Sequence, residues 1–218
     1  MSLRAASSTF AAALIVLTMG CALTQSVVSV PPRPAVPDPA AGATVIINSV
    51  IDKRVFEESP TDASVATLKE GSATDKALTS RVVARKGPAT GKPLGNVLLS
   101  PGQTVEGLVQ EHLTAALREA GYRVAPAGKP APAGALPMDV DIRTFWAWFE
   151  PGFWFITVNF KGILDVTSPA LKNGGRATLT VRTDKGYQAV LDGDWASNVQ
   201  AGGAALGEKL KENLKPAN

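Results

Sequence analysis

The sequence predicts an α+β domain: an antiparallel sheet of about five or six strands with two helices packed on one face, preceded by a signal peptide and a Pro-rich tether. Three observations carry this expectation. Residues 101–120 and 194–214 repeat apolar side chains at helical spacing. Residues 138–190 divide into β-rich runs joined by Glu150-Pro151-Gly152-Phe153 and Lys172-Asn173-Gly174-Gly175. Between an apolar N-terminal run and the first β-branched run, Pro31, Pro32, Pro34, Pro37 and Pro39 exclude a helix or a sheet interior.

Residues 1–20 read as a signal peptide. Arg4 supplies the basic region, residues 10–17 form an apolar stretch too short to span a bilayer, and Gly20 is the small residue before Cys21. Cys21 is the only cysteine, so the chain offers it no disulfide partner. The junction Leu17-Thr18-Met19-Gly20-Cys21 resembles a bacterial lipobox, with Thr18 standing where lipoboxes usually carry Leu. That resemblance implies cleavage before Cys21 and a covalent diacylglycerol and N-acyl lipid on it. Each buried methylene of such chains contributes about 0.8 kcal/mol to membrane attachment. The alternative is an ordinary secreted protein whose cysteine lies near the cleavage site. Ala22 follows where an inner-membrane retention signal would place Asp, so the expected location is the outer membrane, facing the periplasm of a Gram-negative envelope.

Residues 21–42 read as a lipidated tether, at roughly 3 Å per residue long enough to hold a domain several tens of ångströms from the bilayer. Residues 43–215 form a single periplasmic domain. The 22 Lys and Arg against 19 Asp and Glu are too small an excess to form a nucleic-acid footprint.

The β-branched run 44–54 reads as a mostly buried strand, and the polar stretch 57–79 as a surface loop. Two short strands, 81–85 and 94–99, flank Gly87-Pro88-Ala89-Thr90-Gly91-Lys92-Pro93. This is a false P-loop: Gly87 and Gly91 enclose three residues where a P-loop has four, and Pro93 replaces the hydroxyl. The helix at 101–120 starts with a Ser100/Gln103 capping-box spacing and Pro101, and Gly121 supplies its left-handed terminator. Its Val105, Leu108, Val109, Leu113, Ala116 and Leu117 share a face that a sheet would cover. A short strand at 122–124 and an Ala/Pro/Gly connector at 126–137 follow. Asp184-Lys185-Gly186 is expected to break the last strand.

Alternation sorts the aromatic hairpin into two faces. Val140, Ile142, Thr144, Trp146 and Trp148 share one with Trp154, Ile156, Val158 and Phe160. Phe145, Phe149, Phe153 and Phe155 gather on the other near the turn, and form the candidate contact surface for protein or membrane. The alternative packs that cluster under residues 57–79 or 126–137.

No catalytic or metal-binding residue is assigned. His112 is the only histidine and sits beside the apolar stripe of its helix; Asp139 with Asp141 reads as a solvated strand face, Asp192 with Asp194 as a helix cap, and Asp52 with Arg54 as a structural pair. The order of elements is similar to that of the YajG-like bacterial outer-membrane lipoproteins: lipobox, Pro-containing tether, strand ending in Asp52 and Arg54, helix ending in Gly121-Tyr122, meander with an Asn-Gly turn, last amphipathic helix. That resemblance implies a non-enzymatic lipoprotein with a structural, assembly or partner-binding role, held by its lipid anchor beside an envelope protein partner, without cofactor or nucleic acid. A carrier, sensor or transport-accessory lipoprotein for an apolar ligand is the alternative.

Overall fold

Sixteen consecutive residues of one long strand organise the sheet. In a computed structural model of the chain, residues 25–58, 60–68, 72–87, 94–126 and 131–217 are described. The strands are β1 (Gln25–Val28), β2 (Thr44–Asp52), β3 (Val82–Lys86), β4 (Gly95–Leu99), β5 (Arg123–Ala125), β6 (Leu136–Pro151), β7 (Ile156–Thr167) and β8 (Arg176–Tyr187). The helices are α1 (Lys76–Thr79), α2 (Val105–Glu119) and α3 (Asp192–Asn213), with a 3-10 turn at Asn173–Gly175. The signal peptide 1–20, Cys21 and residues 88–93 of the false P-loop lie outside the described residues.

One edge of β6 pairs antiparallel with β7 from Asp139 to Pro151, and β7 pairs antiparallel with β8. The other edge is divided. Its first half pairs parallel with β2, which carries β5; Ala147 and Trp148 pair parallel with β3, which carries β4 and then β1. The sheet is therefore forked. Its α+β class and the two long helices on one face agree with the sequence, but the described residues form eight strands, and the β1–β4, β2–β5, β2–β6 and β3–β6 pairs are parallel. Parallel partners need long crossovers and leave no turn signature.

Arg54 closes the fork. Its guanidinium donates to the carbonyls of Val82 (2.7 Å), Phe145 (3.1 Å) and Thr79 (2.6 Å), where β2 has ended and β3 begins. Nε and Nη2 also bind the two Asp52 carboxylate oxygens at 2.9 and 2.8 Å. The fork's orphan carbonyls are thus satisfied by a paired, buried cation. The structural pair expected from the sequence is present.

A bulge in β6 reverses the faces read from simple alternation. The β6–β7 register shifts between Ile142 and Thr144. Met138, Val140 and Ile142 before the bulge and Phe145 and Ala147 after it consequently face α2 and α3 in one core, while Trp146 and Trp148 point to the opposite face. There, residues that the sequence reads as a surface loop form a second core: Ala63, Ala66 and Leu68, with Phe56 just before the loop, cover both tryptophans, and Trp146 Nε1 donates to the Ala63 carbonyl at 3.2 Å.

α2 starts later than expected. Thr104, not Ser100, is its N-cap and accepts from the Gly107 N–H at 3.1 Å. Gln103 is diverted to the N-terminal segment, where its amide pairs with the Val30 N–H and carbonyl at 3.1 and 2.7 Å. Gly121 terminates the helix at φ +89° as expected. In α3, Asp194 accepts from the Leu191 N–H at 2.8 Å. The Asn173-Gly174-Gly175 turn adopts left-handed φ of 51°, 79° and 81°, and β8 runs unbroken through Asp184, Lys185 and Gly186, each paired with β7.

α3 approaches its neighbours through glycines. A Cβ on Gly202 would lie 2.2 Å from the Phe160 ring, and one on Gly203 would lie 2.3 Å from the His112 ring. Gly202→Ala is therefore expected to cost about 1–3 kcal/mol by overpacking. Gly193→Ala, whose Cβ meets nothing within 4 Å, should instead stabilise by about 0.4–1 kcal/mol. Chemical denaturation of both variants tests this; equal effects would contradict the close α3–sheet contact.

Residues 25–42 correct the tether reading. β1 pairs with β4, and Val28 and Val30 are buried. Beyond β1 the chain follows α2: Arg33 bonds Glu111 through its N–H and Glu119 through its guanidinium, and Asp38 pairs with Arg118 at 2.7 Å. That Arg118 contact holds the Asp38 carboxyl below the usual carboxylate range. Proline excludes helix without excluding docking: it fixes extended geometry, and side chains spaced two apart supply the burial.

Candidate contact surface

The β6–β7 hairpin closes through residues 152–155, with the Gly152 N–H donating to the Phe155 carbonyl at 2.8 Å. This closure turns the intervening side chains outward. Phe153 is 90% exposed, Trp154 78% and Phe155 55%, and the Phe153 and Trp154 rings meet edge to face at 4.9 Å.

The structure splits the four predicted contact residues. Phe153 and Phe155 are on the surface. Phe145 is fully buried against Phe160 at 4.9 Å, and Phe149 is half-buried beside Trp195 at 6.3 Å. The bulge is the reason, because it moves Phe145 and Phe149 onto the helix-covered face. Trp154, which alternation places on the core face, joins the exposed group because it lies in the turn, where strand alternation does not apply.

More apolar residues lie at the same end of the sheet. Leu94 precedes β4 and is 60% exposed, and Leu191 precedes α3 and is 70% exposed. Ser26 at the start of β1 donates to Asp192 at 2.6 Å, which ties the first turn of α3 to this end. Lys86, the last residue of β3, donates to the same Ser26 hydroxyl. Among the described residues, Leu94, Phe153, Trp154, Phe155 and Leu191 are five of the eight exposed large hydrophobics. The contiguous part of this exposure, Phe153-Trp154-Phe155 at the hairpin tip, is the kind that marks an interaction surface.

The remaining chemistry-bearing residues are engaged in the fold. His112 is 2% exposed between α2 and α3, and burial lowers its pKa to about 4, so the imidazole is neutral. Asp139 accepts from Ser49, Asp141 pairs with Lys53 at 2.6 Å, and Asp192 and Asp194 bind Ser26 and cap α3. A depression of about 300 Å³ lies between residues 33–36 and α2, lined by Arg33, Glu111, Thr114 and Arg118. It is open and of mixed polarity, with Val36 and Ala115 beside the charged groups, unlike the enclosed apolar pocket a carrier of apolar ligands needs.

No family model matches the chain, and no curated protein matches it. Among solved structures it is similar to an uncharacterized protein at 12% identity and TM-score 0.47, covering 87% of this chain and 97% of the other. It is also similar to a Xanthomonas campestris protein of the DUF330 family at 12% identity and TM-score 0.45, covering 86% and 92% of the two chains.

Proposed function

We propose that the chain is a lipid-anchored envelope lipoprotein, facing the periplasm from the outer membrane, with a non-enzymatic structural or assembly role beside other envelope proteins. The observation that carries this reading is the position of β1. Among the described residues pairing begins at Gln25, four residues after Cys21, so an acylated Cys21 would keep the folded domain within a few residues of a bilayer. Cys21 in its lipobox-like setting, Ala22 after it, and the order of elements shared with YajG-like lipoproteins support the same reading. The burial of the only histidine between two helices favours a non-catalytic role.

Cys21→Ser in the full chain is expected to release the protein from the membrane fraction and abolish incorporation of labelled palmitate. Retention at the membrane without label would overturn the lipoprotein reading. The carrier alternative draws no support from the depression along α2, which is open rather than enclosed.

A further inference from the structure

We propose that the hairpin tip, Phe153, Trp154 and Phe155, inserts into the interface of a lipid bilayer, beside the point where the N-terminal chain reaches that bilayer. The inference rests on the lipid-anchor reading, which sets a bilayer at this end of the domain.

Strand register supplies the geometry. Gln25 pairs with Asn96, Asn96 with Arg85, and Arg85 with Trp148, so these residues form one row across the sheet. β1 runs away from the tip end, because it is parallel to β4, antiparallel to β3 and thus opposite to β6. The N-terminal end of β1, Gln25, therefore points to the side of the hairpin tip. Pro151, three residues beyond Trp148, stands about 10 Å past the row at the rise of a β-strand, and the tip lies slightly farther out. Cys21, four residues before Gln25, can reach at most about 14 Å past the same row. Three strand spacings, about 14 Å, separate β1 from β6 laterally. A bilayer holding acyl chains at Cys21 is therefore within reach of the tip.

The chemistry fits that occupant. The tip residues 153–155 carry no ionisable side chain, and Leu94 and Leu191 extend the apolar surface at the same end. Tryptophan and phenylalanine at the end of a rigid hairpin suit the headgroup boundary, where the indole ring buries its body and keeps its N–H wet. A protein partner on this surface would have to compete with the bilayer to which the neighbouring chain segment is held.

Trp154 is also the probe. Trp146, Trp148 and Trp195 are each at most 2% exposed, so contact quenching by lipid reports Trp154. The full-length mature protein, purified from membranes, is reconstituted in phosphatidylethanolamine/phosphatidylglycerol vesicles with brominated acyl chains. A quenched, blue-shifted tryptophan component is expected, and Trp154→Phe should remove it without changing the melting temperature. The mass of the N-terminal peptide reports acylation separately. Acylated protein whose fluorescence is the same in brominated and ordinary vesicles overturns tip insertion and leaves the anchor standing. Quenching of Trp154 in unacylated protein supports tip insertion and overturns the anchor. A photo-crosslinker at Phe153 should give lipid adducts in cells; a discrete protein adduct in their place overturns the proposal.

Discussion

Replacing Arg54 by Met is expected to lower the unfolding free energy by about 3–5 kcal/mol, the range for removing one partner of a buried ion pair. For a domain of this size that corresponds to a fall in Tm of roughly 6–20 °C. Met preserves much of the side-chain volume, so the loss is electrostatic. It strands the carboxylate of Asp52, whose side chain is 9% exposed, and leaves the Thr79, Val82 and Phe145 carbonyls without their donor. Asp52→Asn should cost less, since its amide oxygen still accepts from Arg54 and the three carbonyl bonds survive. Urea denaturation of the two variants distinguishes them. A loss below about 1 kcal/mol for Arg54→Met would mean that water satisfies the fork as well as the guanidinium does.

The second large effect depends on pH. His112 has its pKa lowered from 6.5 to about 4, first by burial and then by the nearby Arg33 charge. The unfolded chain binds a proton at this side chain below pH 6.5, whereas the folded chain does so only below about 4. Between those values the unfolded state holds more protons. The His112 contribution to stability should therefore fall as pH drops through the window, by about 3 kcal/mol in total. Asp38, Asp165 and Glu119 have carboxyls lowered from ordinary values of 3.8 to 4.5, so their losses begin near the bottom of that range. The slope between pH 6.5 and 4.5 consequently isolates His112. His112→Leu should flatten that slope, whatever it does to stability at pH 7. A slope unchanged in the variant would place the titration elsewhere.

Much of the local structure was legible in the chain. The apolar spacing of α2 and α3, the left-handed Gly121 and the Asn173-Gly174-Gly175 turn declare themselves because each is decided within about one helical turn or one loop. The hairpin was also legible, but its turn lies two residues later than the Pro151-Gly152 signal places it: Pro151 pairs with Ile156 and the chain turns at 152–155. The faces on either side of it were not, because one extra residue between Ile142 and Thr144 reverses every later side chain in β6 and leaves no mark in composition. Phe145 and Phe149 were misplaced for that reason, and Trp154 was misplaced because alternation stops at the turn. Leu94 and Leu191 carried no signal at all: that an isolated leucine is exposed, and at which end of the sheet, is decided only by the fold.

By itself the sequence determined the helices, the turns, the α+β class and the lipobox-like character of the N-terminal junction, all properties of neighbouring residues. Tertiary structure alone decided the rest. Residues 25–42 dock because β4 and α2 offer a strand edge and paired charges to an extended segment; the tryptophans of β6 are buried because residues 53–68 return over them; and the fork holds because Arg54 reaches carbonyls contributed by three separated stretches of chain. Each of these depends on groups that are distant in sequence and meet only when the sheet assembles, so their free energy appears in no local pattern.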